Sequence, residues 1–308
     1  MMSGELISLI VALMWTFTAI FAEIASKRMG TLVLNVWRMI VTLLLLGTLL
    51  WVFCGQPLPR YTTPQVWGWF LASGFMGFVF GDYCLFNAYV AMGSKYTQLF
   101  MTLASPFAAI TAWALMGERM TWLALLGMII TLTGICISIL GKSEEGHRRI
   151  KLPLRGIILA TGAGLGQGTG LVLSKLGMMA YTAVVPATET SVINLMPFSG
   201  TMIRAVMGLI GFSTVLICSH KVSAMSVAWH DRKATAAGMG AVLLGPFFGV
   251  SLSLMAVNLT HAGVAQTIMA LSPVLILWPS YLIFGTKVTL QEFMGAAIAV
   301  IGASLFFI

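Results

Sequence analysis

The chain has 308 residues, of which 59% are apolar and 8% charged, with a net charge of +8 and a mean hydropathy of +0.97. A chain so apolar cannot hide its surface in a water-soluble domain, so soluble globular and disordered classes are excluded and lipid is the expected solvent. Nucleic acid is not indicated either, because the basic residues are scattered through short segments between apolar runs rather than gathered on one face.

A hydrocarbon core about 30 Å thick takes roughly 20 apolar residues per helix. Runs of that size follow one another at 5–26, 31–53, 66–91, 96–116, 121–140, 155–176, 190–218, 235–258, 264–284 and 289–308. The first is too long for a signal-peptide core, has no basic leader and no small-residue cleavage site, and ends in Lys27 and Arg28, so it is expected to stay as a span. It carries Trp15 deep inside and Glu23 about 6 Å from the edge that Lys27 marks. The second run holds Arg38 about 10 Å from that edge, so Glu23 and Arg38 are expected to meet. The third holds Asp82 in the phrase GDYCLFNAY, with Asn87 nearby and Tyr89 on the same helix face.

The fourth run carries Gln98 and Pro106, and the ninth carries Gln266, Pro273 and Trp278. Each proline removes a helical hydrogen bond, so both helices are expected to bend there and to offer a hinge. The sixth run contains GAGLGQGTG at 162–170, with Gln167 inside it. That phrase lacks the GxGxxG spacing and the Lys-Ser/Thr ending of nucleotide loops, and its glycines recur every four residues on two faces, which suits close helix packing. Arg204 sits near the middle of the seventh run, and Asn194 and Asn258 are further polar groups within spans. An ionisable group in lipid costs upward of about 3 kcal/mol unless paired or hydrated, so Glu23, Arg38, Asp82 and Arg204 are functional candidates by default. Glu23 and Asp82 are the candidate coupling carboxylates, and Trp15, Asn87, Gln98, Gln167, Asn258, Gln266 and Trp278 join the arginines as candidate solute contacts. Cys54, Cys84, Cys136 and Cys218 lie in or beside separate apolar runs without a CxxC or a histidine cluster, so neither disulfide nor metal is expected.

The least apolar interval, GKSEEGHRRIKLP at 141–153, divides the chain near its midpoint. This gives a first repeat over 1–141, a linker over 142–154 and a second repeat over 155–308. The same elements return on either side: QLFMTLASP at 98–106 is answered by QTIMALSP at 266–273, and Gly117, Thr121, Gly127 and Gly134 by Gly285, Thr289, Gly295 and Gly302, 168 residues later. Arg119 finds Lys287 in that register, and Arg38 corresponds approximately to Arg204. Five spans per copy is an odd number, so the second copy must cross the membrane with opposite polarity. The expected fold is therefore an all-α integral membrane protein of ten spans, two inverted five-helix repeats around a central cavity, a construction that suits alternating access.

On Arg38, the pairs Ser105-Pro106 and Ser272-Pro273, and the phrase GERMTWLALLGMIITLTG at 117–134, the chain resembles the ten-span EamA-type branch of the drug/metabolite transporter superfamily over essentially its full length. The second copy of that phrase, GTKVTLQEFMGAAIAVIG at 285–302, departs from the pattern at Thr286, where the family usually has Glu. The resemblance implies a carrier that exports amino acids, other metabolites or drugs, or moves nucleotide sugars and sugar phosphates. Locally, AIFAEIA at 19–25 is similar to the segment that bears the membrane carboxylate of four-span small multidrug resistance proteins.

The reading that follows is a secondary exporter of small zwitterionic or anionic metabolites in a bacterial inner membrane, working without a cofactor, as a monomer or homodimer, with protons among the candidate coupling ions. Its rivals are a multidrug or cation efflux carrier and a non-transport receptor or assembly subunit. An enzyme is not expected: there is no HExxH, no GxSxG, and only Asp82 and Asp231 as aspartates, so no intramembrane aspartyl dyad. No Walker motif is present to drive transport by ATP hydrolysis. Twelve Lys and Arg follow odd-numbered spans against Arg60, Arg119 and Lys175 on the other side, so the positive-inside rule puts both termini outside, while the family resemblance puts them in the cytoplasm.

Overall fold

Lipid offers the backbone no hydrogen-bond partner, and every regular element among the described residues is accordingly a helix. The computed structural model describes residues 4–117, 122–139, 152–226, 230–259, 268–285 and 288–305, without the side chains of 124, 257 and 258. Gln266, the Asn258 side chain and linker residues 141–151 lie outside the described residues.

Helix α1 (Gly4–Met29) is followed after Gly30 by α2 (Thr31–Cys54). A continuous helical run then extends over Pro64–Met116: α3 (Pro64–Gly74), a π-helical stretch (Phe75–Asp82), α4 (Tyr83–Phe100), a 3₁₀ turn (Met101–Leu103) and α5 (Ala104–Met116). Straight, that run would measure about 80 Å, well over twice the hydrocarbon core. It breaks at Gly93, whose φ of 82° and ψ of 162° belong to a region open only to glycine. The two arms fold back together, since Gly166 packs against Gly81 and Gly168 against Ala104 from neighbouring positions of one helix.

That helix is α7 (Leu154–Thr182), which follows α6 (Trp122–Ile139). Its glycines serve two faces: Gly162, Gly166 and Gly170 meet Cys84, Gly81 and Gly77, while Gly164 and Gly168 meet residues between Phe100 and Ala108. A Cβ at Gly166 would lie 2.5 Å from the Gly81 Cα, so only small residues allow this approach. Then come α8 (Thr190–Cys218), α9 (Arg232–Val242), a second π-helical stretch (Leu243–Val250), α10 (Ser251–Leu259), the short α11 (Ser272–Leu275), α12 (Leu277–Phe284) and α13 (Leu290–Ser304).

The sequence repeat has structural counterparts. The π-helical stretches begin at Phe75 and Leu243 and end at Asp82 and Val250, again 168 apart. Gly117 and Gly285 both end their helices in the left-handed conformation, with φ of 67° and 64°. Between the copies, α6 and α13 pack antiparallel: Gln291 Nε2 donates to the Ile137 carbonyl, Ser138 Oγ to the Glu292 carbonyl and Thr131 Oγ1 to the Ala299 carbonyl. The glycine contacts in this seam exchange under the repeat offset, Gly134 meeting Ala299 where Gly302 meets Thr131.

Candidate functional site

A cavity of about 180 Å³ lies among α1, α2, α4, α5, α7 and the second π-helical stretch. Its walls are mostly apolar, and its polar groups converge on one ion pair. Arg38 and Asp82, each 3% exposed, are bonded to one another there. Gln167 Nε2 donates to the other Asp82 oxygen at 3.3 Å, and the Arg38 guanidinium stacks 4.4 Å from the centroid of Phe86. Phe86 in turn meets Tyr89 edge to face at 5.7 Å, and the Tyr89 hydroxyl accepts a hydrogen bond from Gln98 at 3.0 Å. Among the described residues, two buried polar atoms in this wall have no hydrogen-bond partner, Arg38 Nε and Thr18 Oγ1. The arrangement therefore offers a solute a partly satisfied guanidinium, a carboxylate already engaged, and amide and hydroxyl groups around them.

The π-helical stretch explains part of this geometry. Its wider turn re-registers the helix between α3 and α4, so Gly77 and Gly81 face α7 and α8 while Asp82 ends the stretch facing Arg38. From the second half, Gly249 packs on Trp15 of α1, and a Cβ at Gly249 would lie 2.9 Å from Trp15 Nε1. Ser272 Oγ donates to the Ala12 carbonyl at 2.9 Å and fastens α11 to α1 beside Pro273, another cavity residue.

Trp15, Arg38, Asp82, Gln98, Gln167 and Pro273 thus share one chamber. Four other placements differ from expectation. Glu23 does not meet Arg38: its carboxylate accepts from Lys27 one turn on and from the Ser94 amide at 2.6 Å, capping the helix that restarts after the Gly93 break. Arg204 lies outside the cavity lining, 4.8 Å from the centroid of Phe78, which does line it. Asn87 turns to the α2 start, donating to the Tyr83 carbonyl at 2.7 Å and accepting from Thr31 at 3.3 Å. Trp278 is 70% exposed on the bundle surface rather than walling a chamber. The two prolines sit in first turns, Pro106 after the 3₁₀ turn and Pro273 at the start of α11, where a missing N–H costs little.

One buried cluster was not singled out in the sequence. Glu292, 2% exposed, accepts from Lys95 at 2.9 Å and from the Tyr96 hydroxyl at 2.7 Å, while its other oxygen completes a capping box with Thr289. Lys95 follows the third apolar run and is one of the twelve basic residues that enter the charge count as loop charges. Thr289-x-x-Glu292 is a capping signal readable in the sequence, but its partner across the repeats is not. Removing one member of such a pair strands the other, so Glu292→Ala is expected to cost about 3 kcal/mol or more of stability. Thermal unfolding of the purified protein checks this; a variant melting with the wild type would mean the pair holds nothing together.

At the surface, Arg28 Nε donates to Asp231 at 2.8 Å, tying α1 to α9, and this bond is the chief reason the Asp231 carboxyl titrates below its usual range. A second contact joins the segment after α2 to the segment before α8, where Tyr61 donates to Glu189 at 2.8 Å and Arg60 stands 3.9 Å away.

Several apolar helices around a mostly apolar chamber with a buried ion pair mark an integral, multi-pass membrane protein. The model of the EamA-like transporter family matches residues 2–140 and again 154–308, so the chain belongs to that family, a transporter family of the drug/metabolite transporter superfamily rather than an enzymatic one. A solved crystal structure shares the fold with a TM-score of 0.62 at 16% identity, over 98% of this chain and 95% of that one. No curated protein matches the chain.

Proposed function

We propose that this protein is a secondary exporter of small zwitterionic or anionic metabolites, amino acids among them, in a bacterial inner membrane. The observation that carries this reading is the buried Arg38–Asp82 pair, placed in a chamber whose walls come from both repeats. A carrier needs such a site near the middle of the bilayer, flanked by halves able to rock against each other. Ten spans in two inverted repeats are supported by the antiparallel α6–α13 seam, because contacts that exchange under the repeat offset imply a pseudo-two-fold axis across those helices. Asp82 and Glu23 are the candidate coupling carboxylates: Asp82 faces the cavity, while Glu23 caps the helix that restarts after Gly93. Cation efflux is less favoured, because the cavity's carboxylate is already held by Arg38. The basic face, which includes Arg28, Arg232 and Lys233, is read as cytoplasmic by the positive-inside rule.

Alternating access has a test that needs no substrate. In a variant whose four native cysteines are replaced, Ser105→Cys is expected to react with a membrane-impermeant thiol reagent added to either side of sealed vesicles. Reaction from one side alone, under every condition tried, would contradict a carrier cycle and favour a receptor or assembly subunit. A reporter fused to the C-terminus settles orientation: activity outside supports the charge rule, and activity inside supports the family expectation.

A further inference from the structure

Arg204 is 4% exposed in the interior of the bundle and, among the described residues, makes no hydrogen bond and no ion pair. Its polar contact is the stack on Phe78, and a cation over a ring is only partial compensation for lost hydration. Arg38, the pseudo-equivalent residue, has what Arg204 lacks: a carboxylate, Asp82, at the end of the first π-helical stretch. The corresponding end of the second stretch is Val250, so the repeat supplies two arginines and one aspartate. Asp82 feels the charge of Arg204, but its hydrogen bonds go to Arg38 and Gln167. Among the described ionisable side chains of the cavity and its Phe78 wall, the balance is one positive charge in excess.

We propose that the cargo itself supplies the missing charge: a small organic monoanion, a carboxylate without a compensating ammonium, that reaches Arg204 past Phe78. This narrows the exporter reading above and rests on it. A zwitterion would leave the excess charge as it is, a cation would double it, and a phosphate monoester, at about −1.5 to −2, would overshoot it. Only a monoanion makes the loaded interior neutral, which is the form that crosses between conformations at least electrostatic cost. Guanidinium suits a carboxylate for geometric reasons too, since its fork can donate two parallel bonds to the two oxygens. The empty carrier keeps its unpaired arginine, and loading would be the event that removes it.

The test compares three probes that share a 3-methylbutyl unit and differ in charge, sodium 4-methylpentanoate, leucine and 3-methylbutylamine, each against sodium chloride at equal ionic strength. Thermal unfolding of the purified full-length protein is the readout. The acid alone is expected to raise the unfolding temperature saturably, Arg204→Lys to keep a smaller rise, and Arg204→Gln to lose it. Val250→Asp, which leaves Arg204 in place and puts a carboxylate at the cavity-lining position that the repeat offset matches to Asp82, is also expected to lose the rise and to melt higher than the wild type without ligand. It keeps the proposal testable if Arg204→Gln does not fold. A rise with leucine or the amine equal to that with the acid, a rise that persists in Arg204→Gln or Val250→Asp, or no rise beyond chloride would each overturn the proposal. A rise with leucine alone would leave the exporter reading standing while removing this one.

Discussion

Arg38→Ala is expected to abolish transport while the protein still inserts into the membrane. The substitution removes the guanidinium that faces the cavity and leaves Asp82 buried with Gln167 as its remaining hydrogen-bond partner, and a stranded buried charge costs about 3–5 kcal/mol of folding stability. Arg38→Lys keeps the charge but loses the planar stack on Phe86, so substantial loss is expected there as well. The double variant Arg38→Ala, Asp82→Ala separates structure from function. With neither charge left to strand, it should regain most of the stability that Arg38→Ala lost and none of the transport. Flux in membranes with matched protein levels, read beside thermal unfolding, checks both parts. Normal flux in Arg38→Ala would remove this residue from the site.

Gly134→Val is expected to disrupt the bundle itself. A Cβ at Gly134 would lie 2.3 Å from the Ala299 amide nitrogen, and one at Gly295 would lie 2.4 Å from that of Ser138. These are backbone atoms, which cannot rotate away, so α6 and α13 must separate. Without a hydrophobic driving force between helices in lipid, such close packing is a main source of association. Protein yield after detergent extraction should fall several-fold, and Gly295→Val should behave alike, because the two positions face each other across the seam. Gly68→Val, where a Cβ would meet nothing within 4 Å, is the matched control. Equal yields for Gly134→Val and Gly68→Val would mean that the seam tolerates separation.

The parts of the site that were legible in the sequence are those whose signal is composition. Arg38, Asp82, Gln98 and Gln167 stand out because each is a polar letter inside an apolar run, and the cost of burying it marks it. Partnership was not legible in the same way. Counting residues from an edge gives depth along a helix but says nothing of rotation about its axis, so Glu23 and Arg38 could be put at compatible depths although Glu23 turns toward Ser94. The Gly93 break and the two π-helical stretches are marked in the sequence by glycines and, in the second stretch, Pro246, and glycine has several meanings in a membrane helix. Lys95 shows the converse error: it lies two residues from the break, where a loop charge was expected, and is buried because Glu292 from the other repeat meets it. Trp278 was placed by its distance into a span, yet its helix turns it to the surface.

The repeat was more readable than the site. The same offset that relates Gly117 to Gly285 in the sequence relates their left-handed helix ends and the bounds of the two π-helical stretches. Close packing explains this correspondence: helix ends and glycine contacts depend on local sequence, which a duplication copies. The ion pairs are the parts that the copies do not share, and they are the parts from which function is argued.

The most direct measurement compares the medium around cells overproducing this protein with that around cells carrying its Arg38→Ala, Arg204→Ala version at equal membrane levels. A small acidic or zwitterionic compound that accumulates outside only with the intact protein is the predicted result, and it would name the cargo. Identical media, with both proteins inserted and the cells making the usual range of such metabolites, would contradict export through the arginine-lined path.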